Sequence, residues 1–216
     1  MKKISFILIS FLSFSSCFSQ NEKYESLMTS KILELDSTLL PARLQELSNT
    51  FERVGNIEKK EWLPYYYAAL SLIRKGQVSK SKQDELGEKA EQLVAIAEQL
   101  SPKNDELFIL RKMIANLRMS VDPMNRYMIY GPLATEALNK AKTINPKNPR
   151  IYLLEGEDLY YTPEQFGGNK NTARKVFDHA FTLFSAIKPA NNLIPQWGLK
   201  EVNSYLSMYN SDKPEN

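Results

Sequence analysis

Residues 90–100 read AEQLVAIAEQL, and the same spacing of apolar residues returns in residues 134–144, ATEALNKAKTI, and in residues 173–183, ARKVFDHAFTL. In each segment the first, fourth, fifth, eighth and eleventh residues are apolar, and the first and eighth are alanine. This spacing places one apolar stripe on a helix of about 3.6 residues per turn. Because a small residue at a fixed place lets a second helix approach closely, the three stripes predict stacked antiparallel helical hairpins.

The residues between the apolar segments are typical of helix starts. Pro41 and Pro64 suit the first turn of a helix, where a missing backbone N–H costs nothing. Asn104 and Asn148 suit the N-cap, and Pro149 suits the position that follows. No segment alternates apolar and polar residues with a period of two. The sequence therefore predicts an all-α protein of about nine helices.

Three further segments are predicted to interrupt helices. Gly76 is expected to end one helix as a C-cap, and residues 120–131 are expected to form an irregular connector before Pro132 opens the next helix. In residues 162–168, TPEQFGG, the threonine and the glutamine fit a capping box, and the two glycines fit the end of a short turn. We interpret this loop as an insertion inside a hairpin, either a well-capped connector, which we favour, or a projecting recognition loop.

The first 19 residues have the layout of a secretory signal peptide. A basic start and a short apolar run lead to Ser19, after which cleavage is predicted. The run is shorter than the ~20 residues of a membrane span, so no transmembrane span is expected in the mature chain. The exported protein is expected to be periplasmic or secreted. Lipidation of Cys17, which would make an outer-membrane lipoprotein, is the less favoured route because Phe14 suits a lipoprotein box poorly.

The composition argues against a nucleic-acid partner and against a disulfide. Without Lys2 and Lys3, 26 of the 28 basic residues remain against 25 acidic ones, and the net charge falls from +3 to +1. This balance, with no basic stripe, argues against a nucleic-acid partner. Cys17 is the only cysteine, so a chain cleaved after Ser19 has no disulfide and is stabilised by packing alone.

The sequence contains no recognisable catalytic or metal-binding constellation. His179 is the only histidine; it lies off the apolar stripe, beside Asp178, and is expected to face water. A zinc site needs three or four ligands, and a serine hydrolase needs serine and acid partners for its histidine. Residues 167–170, GGNK, lack the full phosphate-loop pattern. We therefore predict that the protein is not an enzyme and holds no metal and no cofactor.

The three stripes resemble tetratricopeptide repeats, in which a small residue on the first helix meets an alanine, aromatic and alanine pattern on the second. The third unit matches best, with Tyr152, Gly156 and Leu159 at the first-helix places and Ala173, Phe177 and Ala180 at the second-helix places. The resemblance implies a short right-handed solenoid of about three units over residues 62–189, after N-terminal helices (20–61) and before a closing helix and tail (190–216). The units are longer than 34 residues, and we attribute the excess to insertions in the turn inside each hairpin.

A narrower resemblance is to exported bacterial tetratricopeptide proteins, a group with no assigned role. It is carried by residues 61–67 (EWLPYYY), 148–150 (NPR), 161–168 (YTPEQFGG) and 195–198 (PQWG). This resemblance supports the fold and export and implies no reaction.

Repeat solenoids bind partners along the concave surface that their first helices line. By the spacing of the family, the residues expected to face that groove are Tyr66, Lys112, Asn116, Arg150, Glu157 and Tyr160. Our first hypothesis is a non-catalytic scaffold of the cell envelope that binds a peptide or helix of a protein partner. The alternative is a small-molecule or glycan binder in an exported uptake system, suggested by the tyrosines at 65–67 and 160–161. A hydrolase of unknown type is a third hypothesis.

Overall fold

The computed structural model describes the backbone of residues 8–211 and the side chains of residues 21–209. This part of the chain is built of nine α-helices and one short 3-10 helix, and it contains no strand. The helices are α1 (Leu8–Ser37), α2 (Pro41–Glu58), α3 (Leu63–Ser79), α4 (Gln83–Leu100), α5 (Asp105–Met119), α6 (Pro123–Ile144), α7 (Pro149–Tyr161), α8 (Lys170–Ala186) and α9 (Leu199–Ser211). The prediction of an all-α fold with about nine helices is confirmed for the described residues.

Several pairs of consecutive helices pack against each other as hairpins. The most extensive pairings are α5 with α6, α2 with α3, α3 with α4 and α7 with α8, and α9 closes the array against α8. One hydrophobic core runs through all of them, from Tyr24 on α1 to Val202 on α9. The N-terminal helices, the repeats and the closing helix therefore share a single core, and the division of the chain into these three parts stays a prediction.

The alanines of the three stripes lie at the helix contacts. Ala90, Ala97, Ala141, Ala173 and Ala180 are completely buried. In the third unit the approach is closer still, because a Cβ atom at Gly156 on α7 would lie 2.5 Å from the Phe177 ring on α8. The small residues are thus needed where one helix backbone meets a side chain of the next.

The predicted helix starts at the repeat turns are confirmed. Asn104 accepts a hydrogen bond from the backbone N–H of Glu106 at 3.0 Å, and Asn148 accepts one from the N–H of Arg150 at 3.0 Å. Pro149 occupies the first turn of α7. The two turns therefore repeat the same capping chemistry.

The prediction of an irregular connector over residues 120–131 is wrong. Asp122 accepts a hydrogen bond from the N–H of Asn125 and Pro123 fills the first turn, so α6 starts there and runs through Pro132 without a break. An interior proline costs one helical hydrogen bond, which the long helix tolerates. The extra length of the second unit therefore lies in its second helix and not in the turn of its hairpin.

Gly76 does not end a helix. It is buried inside α3, which continues to Ser79, and Lys80 follows in the left-handed conformation with φ 48°. A Cβ atom at Gly76 would lie 2.8 Å from the Leu117 side chain. The glycine therefore serves a close helix approach, and the prediction of a C-cap at this position is wrong.

The loop between α7 and α8 is a structured insertion, but its predicted capping box does not form. Its 3-10 helix, Glu164–Phe166, has no side-chain cap, and the N–H of Thr162 instead bonds to the carbonyl of Asp158 at 3.0 Å. Gly167 adopts a positive φ of 97°. Gly168 does not, but a Cβ atom there would lie 1.6 Å from the carbonyl oxygen of Thr162.

The predicted signal peptide, residues 1–19, lies outside the residues whose side chains are described. Residues 1–7 are not described, and residues 8–19 belong to the start of α1. Cleavage after Ser19 and lipidation of Cys17 both stay predictions. Among the described helices, none combines the length and the apolar character that crossing a membrane requires.

Candidate functional site

The six residues predicted to face the concave surface lie in three separate places. Two belong to a buried polar cluster, two line an open groove, and two belong to a cluster of tyrosines. These pairs are Tyr66 with Arg150, Lys112 with Asn116, and Glu157 with Tyr160.

The buried polar cluster joins α3, α5, α7 and the segment before α9. Arg150 Nε donates to both carboxylate oxygens of Glu106 at 3.0 Å, and the Tyr66 hydroxyl donates to Glu106 at 3.2 Å. Trp197 Nε1 donates to the Tyr66 hydroxyl at 2.8 Å, and Asn148 Nδ2 donates to Glu106 at 2.6 Å. Burial, with the nearby Glu106 carboxylate, raises the pKa of Tyr66 well above its usual range. The cluster is thus a fully paired charge site inside the array.

Two predictions about this region are corrected by its burial. Tyr66 is 0% exposed and Arg150 is 4% exposed, so neither lies on an open concave surface. Arg150 is instead held in the first turn of α7 by Glu106 in the first turn of α5. Tyr65 and Tyr67 are buried as well, so residues 65–67 present no aromatic surface to a glycan.

An open groove lies where α6 separates from α7. α6 packs along α5 but makes few contacts with α7. The resulting space of about 200 Å³ is bounded by α5, α6, α7 and the loop before α8; its lining residues are Lys112, Asn116, Met119, Tyr127, Gly131, Ala134, Thr135, Asp158, Leu159, Thr162, Phe166 and Gly167. We call this space the α6 groove.

Aromatic side chains stand on opposite sides of the α6 groove. Tyr127 on α6 is 57% exposed, and Phe166 in the 3-10 helix is 63% exposed. A shallower depression with a volume of about 620 Å³ continues from Tyr127 over the outer side of α6, past Met128 and Pro132. The groove and this surface share Tyr127, Gly131 and Thr135. Together they offer an extended, partly apolar surface to a ligand.

The floor of the α6 groove carries one buried cation. Lys112 Nζ donates to Asp158 Oδ1 at 2.7 Å and to Asn116 Oδ1 at 3.1 Å. The Lys112 side chain is 2% exposed, whereas the Asp158 side chain is 44% exposed. Among the described residues that line the groove, Lys112 is the only cationic side chain and Asp158 the only anionic one. Lys112 and Asn116 therefore line the floor of this groove, but Lys112 is buried there and does not present an open surface. Sequence reasoning does not single out Asp158.

The third pair belongs to a cluster of tyrosines between α7 and α9. The Tyr160 ring lies 5.1 Å from Tyr161, 5.6 Å from Tyr205 and 5.9 Å from Tyr209, measured between ring centroids. The Tyr205 hydroxyl lies 3.3 Å from Glu157 Oε1 and 3.2 Å from the Tyr161 hydroxyl. Contacts of this kind hold the closing helix to the array.

Glu157 is the carboxyl group of this cluster, and its pKa is raised into the neutral range. Removal from water is the main cause that raises its pKa, to about 7, and the charges of Asp158 and Glu201 act in the same direction. The hydrogen bond from Tyr205 and the charge of Lys112 oppose this rise. Glu157 therefore changes its charge in the physiological pH range.

His179 lies on α8 and is exposed, as predicted. Its ring packs edge-on against Tyr152, with the centroids 4.4 Å apart, and it is not among the described residues that line the α6 groove. In the described part of the chain, no group of three or more histidine, cysteine, aspartate or glutamate side chains is placed to hold a metal ion.

The structure resembles that of the HusA haemophore from Porphyromonas gingivalis. The two sequences are 32% identical, and the match covers 89% of this chain and 96% of the HusA chain with a TM-score of 0.81. The chain belongs to the family of the HusA haemophore. Because the match covers nearly all of HusA, the helical array is shared as a whole and not as a single repeat.

No protein-family model matches the sequence, and no curated protein matches it either. Membership of the tetratricopeptide family therefore stays a prediction from the stripes. The likeness to HusA extends over the whole helical array and does not test the repeat assignment.

Proposed function

We propose that the protein binds a flat, largely apolar small molecule of the haem type and serves in an exported uptake system. The observation that carries this proposal is the likeness to the HusA haemophore over 96% of its length at 32% identity. It favours the small-molecule alternative of the sequence analysis over the protein scaffold. A carrier of this kind binds its cargo without converting it, so the protein is proposed not to be an enzyme.

The α6 groove offers part of the surface that such a ligand requires. A haem-type ligand has two flat apolar faces and carries carboxylates at one edge. Tyr127 and Phe166 offer exposed aromatic rings for the faces, and Lys112 and Asn116 offer hydrogen-bond donors at the floor. At about 200 Å³ the groove is smaller than the ~300–1,000 Å³ of an enclosed ligand site, so the ligand would extend over the outer side of α6.

A titration with haem, followed by absorbance and tryptophan fluorescence, tests this proposal. We expect saturable binding with one site, a dissociation constant in the ~µM range or tighter, and at least a tenfold weaker constant for Tyr127→Ala combined with Phe166→Ala. The matched control is Tyr161→Ala, because Tyr161 is also exposed, at 68%, but is not among the lining residues of the groove. His179→Ala is a second control. Absence of saturable binding, or equal binding by all variants, would contradict the proposal.

Export is part of the same proposal. It is supported by the signal-peptide layout of residues 1–19 and by the relative's description as a haemophore. Mass spectrometry of the mature N-terminus is the direct test. A chain that starts at Gln20 supports a periplasmic or secreted protein, and a lipid-modified Cys17 supports the outer-membrane alternative. An unprocessed Met1 in the mature protein would contradict export by this leader.

A protein-binding scaffold remains the second candidate because α6 exposes apolar side chains. Met124 is 84% exposed, Met128 79%, Ile129 61% and Leu133 51%. Exposed methionines suit adaptable contacts with a helix or peptide of a partner protein. Cross-linking from a photoreactive residue at position 128, in cell-envelope extract, tests this. A single cross-linked protein that is lost with Ile129→Glu would support the scaffold, and no cross-linked protein would contradict it.

A further inference from the structure

We infer that Lys112 binds a carboxylate of the ligand. In the free protein Asp158 accepts this hydrogen bond, and the ligand carboxylate displaces it. The inference rests on the proposed function, because it requires a ligand in the α6 groove. It goes further by naming the chemical class: a flat apolar molecule that carries at least one free carboxylate.

The exposures of the two partners differ in the way that such an exchange requires. Lys112 comes from the interior of the array, and only 2% of its side chain is exposed. Asp158 is 44% exposed and lies on the wall of the groove. The aspartate can therefore rotate into water at small cost, whereas the ammonium group of Lys112 stays where it is.

A buried ammonium group must remain paired. Leaving one charge of a buried pair without its partner destabilises a protein strongly. When one carboxylate replaces another, the ammonium keeps an oxygen partner, and its charge-assisted hydrogen bond is retained. Lys112 uses two of its three N–H groups, on Asp158 and Asn116, so a further N–H is available to an incoming oxygen.

The composition of the groove wall favours an acid over other ligands. Among its described residues Lys112 supplies a cationic donor, and the hydroxyls of Thr135 and Thr162 are further donors on the same wall. An apolar ligand without a carboxylate would gain nothing from Lys112 and would leave its pair with Asp158 intact. The groove should therefore prefer the free acid to an otherwise identical ester.

A comparison of protoporphyrin IX with its dimethyl ester tests this preference. Both are titrated by fluorescence in the same buffer with the same low concentration of detergent. We expect the wild-type protein to bind the acid at least tenfold more tightly than the ester. Lys112→Met should abolish this difference by weakening only the binding of the acid. Asp158→Asn, which removes the competing charge, should tighten the binding of the acid about threefold to tenfold and leave the ester unchanged.

The matched controls use an ion pair that is not in the groove. Lys142 on α6 pairs with Glu155 on α7 at 3.1 Å, and neither is among the described lining residues. Lys142→Met and Glu155→Gln should leave both ligands unaffected. If Lys112→Met does not fold, as judged by its melting curve, Asp158→Asn decides the question alone, because its side chain is partly exposed and its amide oxygen still accepts a hydrogen bond.

The outcomes separate this inference from the proposed function. Equal binding of acid and ester by the wild type, or no effect of Asp158→Asn, would overturn the inference and leave the proposed function standing. Failure of the wild type to bind either porphyrin would overturn both.

Discussion

Lys112 on α5 and Asp158 on α7 are joined at 2.7 Å across the base of the groove where α6 separates from α7. Polar side chains add to the shared hydrophobic core in joining the α5–α6 hairpin to the α7–α8 hairpin there, where α6 makes few contacts with α7. A second polar link, between Glu106 and Arg150, lies deeper in the same interface. Each of these two hairpins is therefore tightly packed, and ion pairs join one hairpin to the other. This arrangement leaves the α6 groove open.

The alanines of the stripes should not accept larger side chains. Ala141 and Ala180 are completely buried between helices. Ala141→Leu and Ala180→Leu should each lower the free energy of unfolding by about 1–3 kcal/mol through overpacking. Chemical denaturation measures the effect, with the exposed Ala186→Leu as the control. Neutral effects at both buried sites would contradict close helix contact.

Gly156 should not accept even a methyl group. A Cβ atom there would lie 2.5 Å from the Phe177 ring, so Gly156→Ala should destabilise the protein although alanine favours a helix by up to ~1 kcal/mol over glycine. Combining it with Phe177→Leu should produce a smaller loss than the sum of the two single losses, since the ring that clashes is gone. Strictly additive losses in the denaturation experiment would show that the two positions do not touch.

The buried pair of Glu106 and Arg150 should be costly to break. Glu106→Gln leaves the Arg150 guanidinium without its carboxylate in a site where the arginine is 4% exposed. We expect a loss of about 3–5 kcal/mol in the free energy of unfolding. Glu85→Gln is the comparison, because its pair with Lys82 is 71% exposed on both sides and should contribute little. A similar, small change in both variants would contradict the structural role of the cluster.

Glu157 should make stability depend on pH between about 4.5 and 7. The folded protein raises the pKa of this carboxyl from 4.5 to about 7, chiefly by burial, so the folded state binds the proton more tightly than the unfolded chain. Its contribution is fully present below the unfolded pKa and is lost as the pH rises through the folded pKa, with a slope of at most ~1.4 kcal/mol per pH unit. Unfolding free energies measured across this range should show the loss in the wild type.

Two variants isolate the contribution of Glu157. Glu157→Gln should remove this loss, so its stability should fall less than that of the wild type from pH 4.5 to pH 7. Tyr205→Phe removes the hydrogen bond that lowers the pKa, so the loss should extend to higher pH. An identical pH dependence of the wild type and Glu157→Gln would contradict the assignment.

The fold could be predicted from the sequence because its signals are local. The stripes of residues 90–100, 134–144 and 173–183 and the caps at Asn104 and Asn148 each depend on neighbours within one or two turns. Sequence reasoning places the start of this helix too late because Pro132 is typical of a helix start, although Asp122 and Pro123 provide the actual start of α6. Without that half of α6, sequence reasoning could not place Tyr127 at the groove.

The residues that form the site are brought together by contacts between parts of the chain that are far apart in the sequence. The spacing of residues in a single sequence does not reveal such contacts. The repeat spacing predicts Arg150 on the surface, but Arg150 pairs with Glu106, which is 44 residues away in the sequence. No local pattern marks Asp158, because its role depends on its contact with Lys112, 46 residues before it. A repeat pattern predicts which face of a helix a residue occupies, and it does not predict whether the neighbouring helix covers that face.

The most direct test of the proposed function is a haem titration of the wild-type protein beside the Tyr127→Ala and Phe166→Ala double variant. The proposal predicts saturable one-site binding by the wild type and at least tenfold weaker binding by the variant, with unchanged melting temperature. Equal haem binding by the two proteins, or none by the wild type, would contradict a haem-type ligand site in the α6 groove.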